Sequence, residues 1–210
     1  MRLVALANET LKKELLSNGV STEIEITWTN EVGEFAQFEN ADGYIDLLFD
    51  HSKRRIELLN NFSSDLIIVN SVTGTLKEIN APFIRVNGWP GFLKRPVVEG
   101  SCNSQDLKET VGKVFSCLYK KMEWVPDVAG FVTARVIAMI INEAWFALEE
   151  GISTKEEIDI AMKLGTNYPY GPFEWGDQIG LRNIFPLLDK LSKTNDRYQP
   201  ADLMRKHVIA

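Results

Sequence analysis

The sequence has few residues that form disulfides or bind metal ions, and it has no long apolar segment of the kind that spans a membrane. Among 210 residues there are two cysteines and two histidines. Cys102 and Cys117 fit neither a disulfide framework nor a zinc-ligand spacing, so no metal site is expected and a reducing cytoplasm is the simplest setting. No stretch approaches roughly eighteen uninterrupted apolar residues, and the segment from Met1 to Leu15 resembles neither a signal peptide nor a membrane span.

Positive charge is also in deficit. The formal net charge is −6 at pH 7, which argues against general attraction to nucleic acid or to an anionic membrane. What is present is ordinary for a globular protein, because 45% hydrophobic and 25% charged residues allow a core without disulfides. A phosphorylated ligand would therefore have to be held by a local basic patch.

Strand-like and helical patterns alternate through the first half of the chain. Helical spacing occurs at 9–17, 52–60 and 104–121. This alternation predicts an α/β domain of reduced Rossmann-like type, with an open parallel sheet and helices on its faces. The predicted strands are short apolar or alternating runs at 3–7, 23–29, 44–49, 66–69 and 83–86.

Pro126 interrupts this pattern and marks the predicted boundary between a domain of residues 1–125 and a helical domain of residues 126–210. Apolar residues then recur at helical spacing from Phe131 to Leu148, an amphipathic stripe that Gly151 ends. A further helix is predicted up to Leu164, with Gly165 as its stop. The polar tail from residue 194 onward is expected to be loosely ordered.

Four blocks of the second domain stand in a fixed order: Gly130-Phe-Val, Asn142-Glu-Ala, residues 158–165 and residues 168–180, the last containing Gly-Pro-Phe-Glu. In order and separation they closely resemble the C-terminal domain of 3-hydroxyacyl-CoA dehydrogenases. We interpret them mainly as fold determinants. The resemblance implies an all-α domain that covers an acyl-CoA cleft and forms a homodimer.

The resemblance continues upstream. The segment 42–53 resembles the family's strand with a Glu-Ala-Ile signature, and Asp46 takes the acidic position, which the resemblance assigns to the cofactor site. The segment 70–76 resembles the family's Asn-Thr-Ser-Ser-Leu turn. The region before Asp42 is short for the family, and since a strand and a helix precede it, the shortening is expected to be internal.

The family reaction is the NAD-dependent oxidation of an L-3-hydroxyacyl-CoA to its 3-keto form, and it needs a histidine base oriented by a carboxylate. The segment 87–99 resembles the family's stretch from this histidine to this glutamate. It implies that Glu99 is the retained carboxylate, whereas Asn87 replaces the histidine. An amide cannot take up a proton near neutral pH. The two histidines, His51 and His207, are interpreted as surface residues.

Further family positions are changed. By the resemblance, Ala134 replaces an active-site asparagine, and the serine that contacts substrate falls near Gly74, with Thr73 and Thr75 as substitute hydroxyls. The first strand is followed by Ala-Asn-Glu-Thr at 7–10, which contains no glycine and places a carboxylate where a pyrophosphate would bind. The NAD site is therefore expected to be damaged.

A basic triplet, Lys53, Arg54 and Arg55, stands where the family has lysines that help to hold CoA. We therefore predict a family member with impaired catalysis, retaining at most acyl-CoA or nucleotide binding. Two alternatives stay open. One is an active dehydrogenase that uses non-standard residues, and the other is a non-catalytic assembly subunit.

Overall fold

The fold is described from a computed structural model, which covers residues 1–38 and 40–209. The chain divides into two compact units, Met1–Phe131 and Val132–Ala210. The first unit is an α/β unit and the second contains helices, and each is described by itself.

The first unit is built on a seven-stranded sheet with the strand order β2-β1-β3-β4-β5-β6-β7. Every neighbouring pair is parallel except β5 and β6. This sheet and its helices confirm the predicted α/β fold class. The strands are β1 (Arg2–Leu6), β2 (Glu25–Thr29), β3 (Gly43–Asp46), β4 (Ile67–Asn70), β5 (Ile84–Val86), β6 (Val97–Ser101) and β7 (Lys121–Trp124).

Alternation along the inner strands gives the sheet two apolar faces, since successive side chains of a strand point to opposite sides. Leu3 and Ile45 belong to one buried cluster with residues of α1 and α5, whereas Val4 and Tyr44 belong to the other with residues of α2, α3 and α4. The five helices among the described residues of this unit therefore cover both faces. They are α1 (Glu9–Leu15), α2 (Val32–Phe35), α3 (Lys53–Asn60), α4 (Leu76–Ile79) and α5 (Gln105–Cys117).

The structure corrects the predicted helix 104–121. The helix α5 ends at Cys117 because Tyr119 takes a left-handed φ of 54° and the Lys120 amide donates to the Phe115 carbonyl at 2.9 Å, a helix-terminating arrangement. The next residues form β7, parallel to β6. Neither β6 nor β7 was predicted, since short strands at the sheet's end carry little periodic signal.

The second unit contains α6 (Thr133–Glu149), α7 (Lys155–Thr166), α8 (Pro172–Ile179), α9 (Leu181–Ser192), a 3-10 turn (Asp196–Tyr198) and α10 (Asp202–Ile209). The predicted apolar stripe is the buried face of α6, where Ala138, Ile141 and Trp145 are almost fully buried. The helix α7 extends slightly past the predicted stop at Gly165, and Asn167 follows it with a left-handed φ of 56°.

The prediction of a loosely ordered tail is wrong. Ala201 and Met204 are fully buried. The Asn142 side chain of α6 donates to the Gln199 carbonyl and accepts from the Ala201 amide, both at 2.9 Å. These contacts fix the chain that leads into α10, although its local sequence is polar.

Candidate active site

The loops that follow β3, β4 and β5 lie together at the carboxyl edge of the sheet, where open α/β sheets bind their ligands. Asn70, the last residue of β4, holds the three loops together. Its Nδ2 donates to the carbonyls of Leu47 at 3.2 Å and Gly88 at 3.1 Å, and its Oδ1 accepts from the Gly88 amide at 3.0 Å. This edge is our candidate active site.

Asn87 and Glu99 meet at this edge, on the antiparallel pair β5 and β6. Asn87 Nδ2 donates to Glu99 Oε2 at 3.0 Å, and its backbone amide donates to the Glu99 carbonyl, also at 3.0 Å. Asn87 is 2% exposed, and its Oδ1 accepts from the Trp89 amide at 3.4 Å. The amide group is thus satisfied at both of its ends, with a carboxylate as one partner.

The turn after β4 is held mainly by its own hydrogen bonds. Ser71 is fully buried, and its Oγ donates to the Gly74 carbonyl at 2.9 Å. Thr75 is engaged in a capping box at the start of α4, where its Oγ1 accepts from the Glu78 amide at 3.3 Å and the Glu78 carboxylate accepts from the Thr75 amide. Thr73 is half-buried in the same turn.

His51 lies beside this turn and is exposed, in agreement with its interpretation as a surface residue. Its Nε2 is 3.5 Å from Ser71 Oγ, the outer limit of a hydrogen bond, and its ring packs on Phe49 with centroids 4.8 Å apart. It is therefore packed against the candidate site, which its position in the sequence did not indicate.

Asp46 lies at the end of β3 and is fully buried. Its Oδ2 is 3.5 Å from Arg55 NH1, and its Oδ1 accepts from the Leu48 amide at 3.0 Å. Burial raises the pKa of Asp46 to about 6, although Arg55 and the Leu48 amide act in the opposite direction. The carboxylate predicted for a cofactor thus faces a buried guanidinium.

The three residues of the basic triplet differ in how far they are buried. Lys53 and Arg54 are exposed at the start of α3, whereas Arg55 is 7% exposed and faces Asp46. A pocket of about 510 Å³ between α2 and α3 is lined by both arginines, with Asp50 and Ser52 among its other lining residues. Of the triplet, Arg54 is thus the exposed cation of this pocket, which also contains the carboxylates of Asp50 and Glu57, and Lys53 is exposed outside the lining.

The turn between β1 and α1 does not fit the pyrophosphate of NAD. The Ala7 amide donates to the Thr29 carbonyl at 3.0 Å, and the Asn8 side chain accepts from the Leu11 amide at 2.9 Å, so two backbone donors of the turn are already used. Glu9 adds a negative charge to the first turn of α1. A pyrophosphate needs free amides and no nearby carboxylate.

Arg85 is a residue of this site that the sequence analysis missed. It lies in β5, is fully buried and forms an ion pair with Asp127. Its Nε donates to the Ser71 carbonyl at 2.9 Å, and the Asp127 carboxylate also accepts from the backbone amides of Leu76 and Lys77. A charge inside an apolar strand is the available signal, because a buried cation needs a partner.

In the second unit, residues of two of the resembling blocks make contacts that stabilise the fold. Asp159 of α7 accepts hydrogen bonds from the backbone amides of Phe173 at 2.8 Å and Glu174 at 3.1 Å, and so caps α8. A Cβ at position 171 would collide with the Asp159 side chain, which explains the glycine there. Ala134 is fully buried in α6 and offers no side-chain hydrogen bond.

Within the described residues, no group of three or more metal-binding side chains occurs. None of the helices in the described ranges combines the length and the apolar character needed to cross a membrane. The molecule is thus an α/β unit of Rossmann-like class, with a polar edge site, in one chain with a helical unit.

Comparison with known proteins identifies the family within this fold class. Residues 130–210 match the model of the 3-hydroxyacyl-CoA dehydrogenase C-terminal domain. A Bacillus subtilis protein named "Probable 3-hydroxybutyryl-CoA dehydrogenase" is 35% identical over 223 aligned residues, which cover 95% of this chain and 78% of that protein. The chain belongs to the 3-hydroxyacyl-CoA dehydrogenase family.

Other relatives match to different extents. The 3-hydroxyadipyl-CoA dehydrogenase of Escherichia coli is 44% identical over 87 residues, which are 40% of this chain but 18% of that protein. The crystal structure of (S)-3-hydroxybutyryl-CoA dehydrogenase PaaH1 from Ralstonia eutropha has a TM-score of 0.75 and covers 99% of this chain and 93% of its own, at 20% identity. This likeness supports the fold.

Proposed function

We propose that this protein binds acyl-CoA at the carboxyl edge of its sheet and does not carry out the family's oxidation by the family's mechanism. The observation behind the proposal is the hydrogen bond between Asn87 and Glu99. In that position the family reaction needs a base, and Asn87 supplies an amide.

The reason is chemical. When a hydroxyl-bearing carbon is oxidised by hydride loss, the hydroxyl proton must be accepted at the same time, and an imidazole with a pKa near neutrality does this well. The amide of Asn87 has no basic nitrogen. The Glu99 carboxylate accepts a hydrogen bond from this amide, in the place where the family reaction needs it to orient an imidazole.

NAD is implied by membership of the family. When bound, NAD would supply the hydride acceptor. The Ala7 and Leu11 amides are already used as hydrogen-bond donors, and Glu9 adds a negative charge, so both features disfavour its pyrophosphate here. We therefore propose that NAD binding is weak in this chain, and we assign no step to the cofactor.

Acyl-CoA is the ligand that the remaining groups favour. Lys53 and Arg54 are exposed at the start of α3, and Arg54 lines the pocket of about 510 Å³. Cationic side chains of this kind suit the phosphates of CoA. The edge that holds Asn87 belongs to the same end of the sheet, so the acyl part of the ligand is proposed to lie there.

A gain-of-function assay tests the catalytic part of this proposal. Purified protein is given 3-hydroxybutyryl-CoA and NAD at high concentration, and NADH formation is followed by absorbance. We expect no turnover by the wild type and measurable turnover by Asn87→His, which restores an imidazole next to Glu99. Asn103→His, on an exposed loop, is the matched control and should stay inactive. Wild-type turnover that Glu99→Gln abolishes would refute the proposal.

Calorimetric titration tests the binding part. Acetoacetyl-CoA should bind to the wild type, and Arg54→Ala should weaken that binding because one cation next to the pocket is lost. NADH should bind much more weakly than acetoacetyl-CoA. Absence of any binding by acetoacetyl-CoA would refute acyl-CoA binding.

A homodimer is the second proposal, and exposed apolar residues of the helical unit favour it. Ile152 is 69%, Ile160 52% and Leu164 83% exposed, the last two on one helix, α7. Such side chains commonly mark association surfaces. Sedimentation should show a dimer for the wild type and a smaller species for Leu164→Glu, with Glu156→Lys as a charge-changing control on the same helix. A monomeric wild type at micromolar concentration would contradict this proposal.

A further inference from the structure

His51 has an unusual backbone for a residue with a side chain. Its φ is 61°, in the left-handed region. The loop around it is fixed, since the Ser52 amide donates to Asp50 Oδ1 at 2.9 Å and Ser52 Oγ caps α3 by accepting from the Arg55 amide at 3.1 Å. Strained backbone that a fold maintains in this way is frequent at ligand sites.

The imidazole of His51 lies where a side chain of residue 74 would be. A Cβ built on Gly74 would lie 2.6 Å from His51 Nδ1 and 3.1 Å from Ser71 Oγ. The ring also packs on Phe49, with its plane tilted by 57°. The absence of a side chain at Gly74 thus makes room for the imidazole over the turn that follows β4.

The neighbouring polar side chains of this edge are buried or half-buried. Asn87 is 2% exposed and bonded to Glu99, Asn70 joins the adjacent loops, and Ser71 is fully buried. His51, in contrast, is exposed. Of these four side chains, Asn87 and Ser71 are buried and Asn70 is half-buried, so His51 is the exposed one.

We propose that His51 is a ligand-contacting residue, whose imidazole forms a hydrogen bond with the oxygen on the third carbon of a bound 3-oxoacyl or 3-hydroxyacyl thioester. The inference rests on the proposed acyl-CoA binding. An imidazole can donate to a keto oxygen or accept from a hydroxyl, so one group serves both ligands. The interaction involves no covalent or redox step.

Two variants remove this contact in different ways. His51→Ala deletes the imidazole, and Gly74→Ala keeps it but forces it out of its place, because the new Cβ takes its volume. His51→Gln keeps an amide donor and acceptor on a side chain of similar reach. Binding of acetoacetyl-CoA and of CoA, which lacks the acyl oxygen, is measured by calorimetry for each variant.

We expect His51→Ala and Gly74→Ala to bind acetoacetyl-CoA about tenfold more weakly than the wild type, which corresponds to about 1.4 kcal/mol, the scale of one hydrogen bond. Their affinity for CoA should be unchanged. His51→Gln should retain most of the affinity. The control His207→Ala removes the other histidine, on α10, and should bind as the wild type does. Thermal melts establish that every variant is folded.

The outcomes separate the two proposals. If the wild type binds neither acetoacetyl-CoA nor CoA, the proposed function fails, and the role of His51 fails with it. If the wild type binds acetoacetyl-CoA and His51→Ala binds it equally well, only the role of His51 is overturned. A loss that is the same for CoA and acetoacetyl-CoA, or a glutamine variant as weak as the alanine variant, also overturns it.

Discussion

Asp46 should make the stability of the first unit depend on pH in a direction unusual for a carboxylate. Most carboxylates in folded proteins stabilise the fold when ionised. Asp46 is fully buried, and its pKa is raised from 3.8 to about 6 because burial outweighs the attraction of Arg55. The folded state therefore holds the Asp46 proton at a higher pH than the unfolded state does.

The sign and size of the effect follow from proton linkage. Between about pH 4 and pH 6 the folded chain binds more protons at this residue, so raising the pH lowers its contribution to stability. A difference of one unit between the pKa values of the folded and unfolded states corresponds to about 1.4 kcal/mol of stability. From pH 4.5 to pH 7, the contribution of Asp46 should thus fall by roughly 2 kcal/mol.

The assay compares urea unfolding of the wild type with that of Asp46→Asn across this pH range. The variant cannot titrate at position 46, so its stability should decline less with rising pH. The difference in free energy of unfolding between the wild type and Asp46→Asn should change by roughly 2 kcal/mol from pH 4.5 to pH 7. Asp50→Asn is a comparison variant on the same loop, which also removes the last-named of the causes that raise the pKa of Asp46. Slight burial raises the pKa of Asp50, but the Ser52 hydrogen bonds and Arg55 outweigh this and lower it. The contribution of Asp50 to stability should therefore rise with pH, whereas that of Asp46 falls. Parallel curves for the wild type and Asp46→Asn would refute the reasoning.

Three further predictions concern stability. Asp127→Asn should cost about 3 kcal/mol in urea unfolding, because it leaves the guanidinium of Arg85 buried without its counter-charge; a cost below about 1 kcal/mol would contradict this role. Gly171→Ala should lower the melting temperature by several degrees, since its Cβ displaces the cap from Asp159, and an unchanged melting curve would speak against that cap. Asn142→Ala should speed proteolysis at the C-terminal tail before global unfolding, because the hydrogen bonds that hold residues 199 and 201 are lost; cleavage at the wild-type rate would show that other contacts hold the tail.

The pairing of Asn87 with Glu99 also accounts for how the site would accommodate an amide at the position that we propose for the family's base. Glu99 is partly buried in β6, and a carboxylate in such a position is destabilising when it loses its hydrogen-bonding partner. Here the amide donates to Glu99 and uses its own oxygen on the Trp89 backbone, so both polar groups have partners. The local structure can therefore persist without the imidazole.

Local sequence alone determined much of the fold. Alternating and helical apolar spacing identified the strands β1 to β5, the helix α3 and the stripe of α6, because each of these elements buries one side or both in a regular period. The block around Gly171 could also be recognised by its resemblance to the family, since this motif is contiguous in the chain, and the same resemblance supplies the prediction that Asn87 replaces the family's histidine.

Tertiary structure decided the rest, because the partners are distant in sequence. The pair of Arg85 with Asp127, 42 residues apart, depends on which segments the fold brings together at one edge of the sheet. The tail was expected to be loose from its polarity, yet packing on Asn142 orders it. The position of the His51 imidazole over Gly74 could not be predicted from the local sequence of either residue. Only the folded sheet edge brings the imidazole into the space that a side chain at position 74 would occupy.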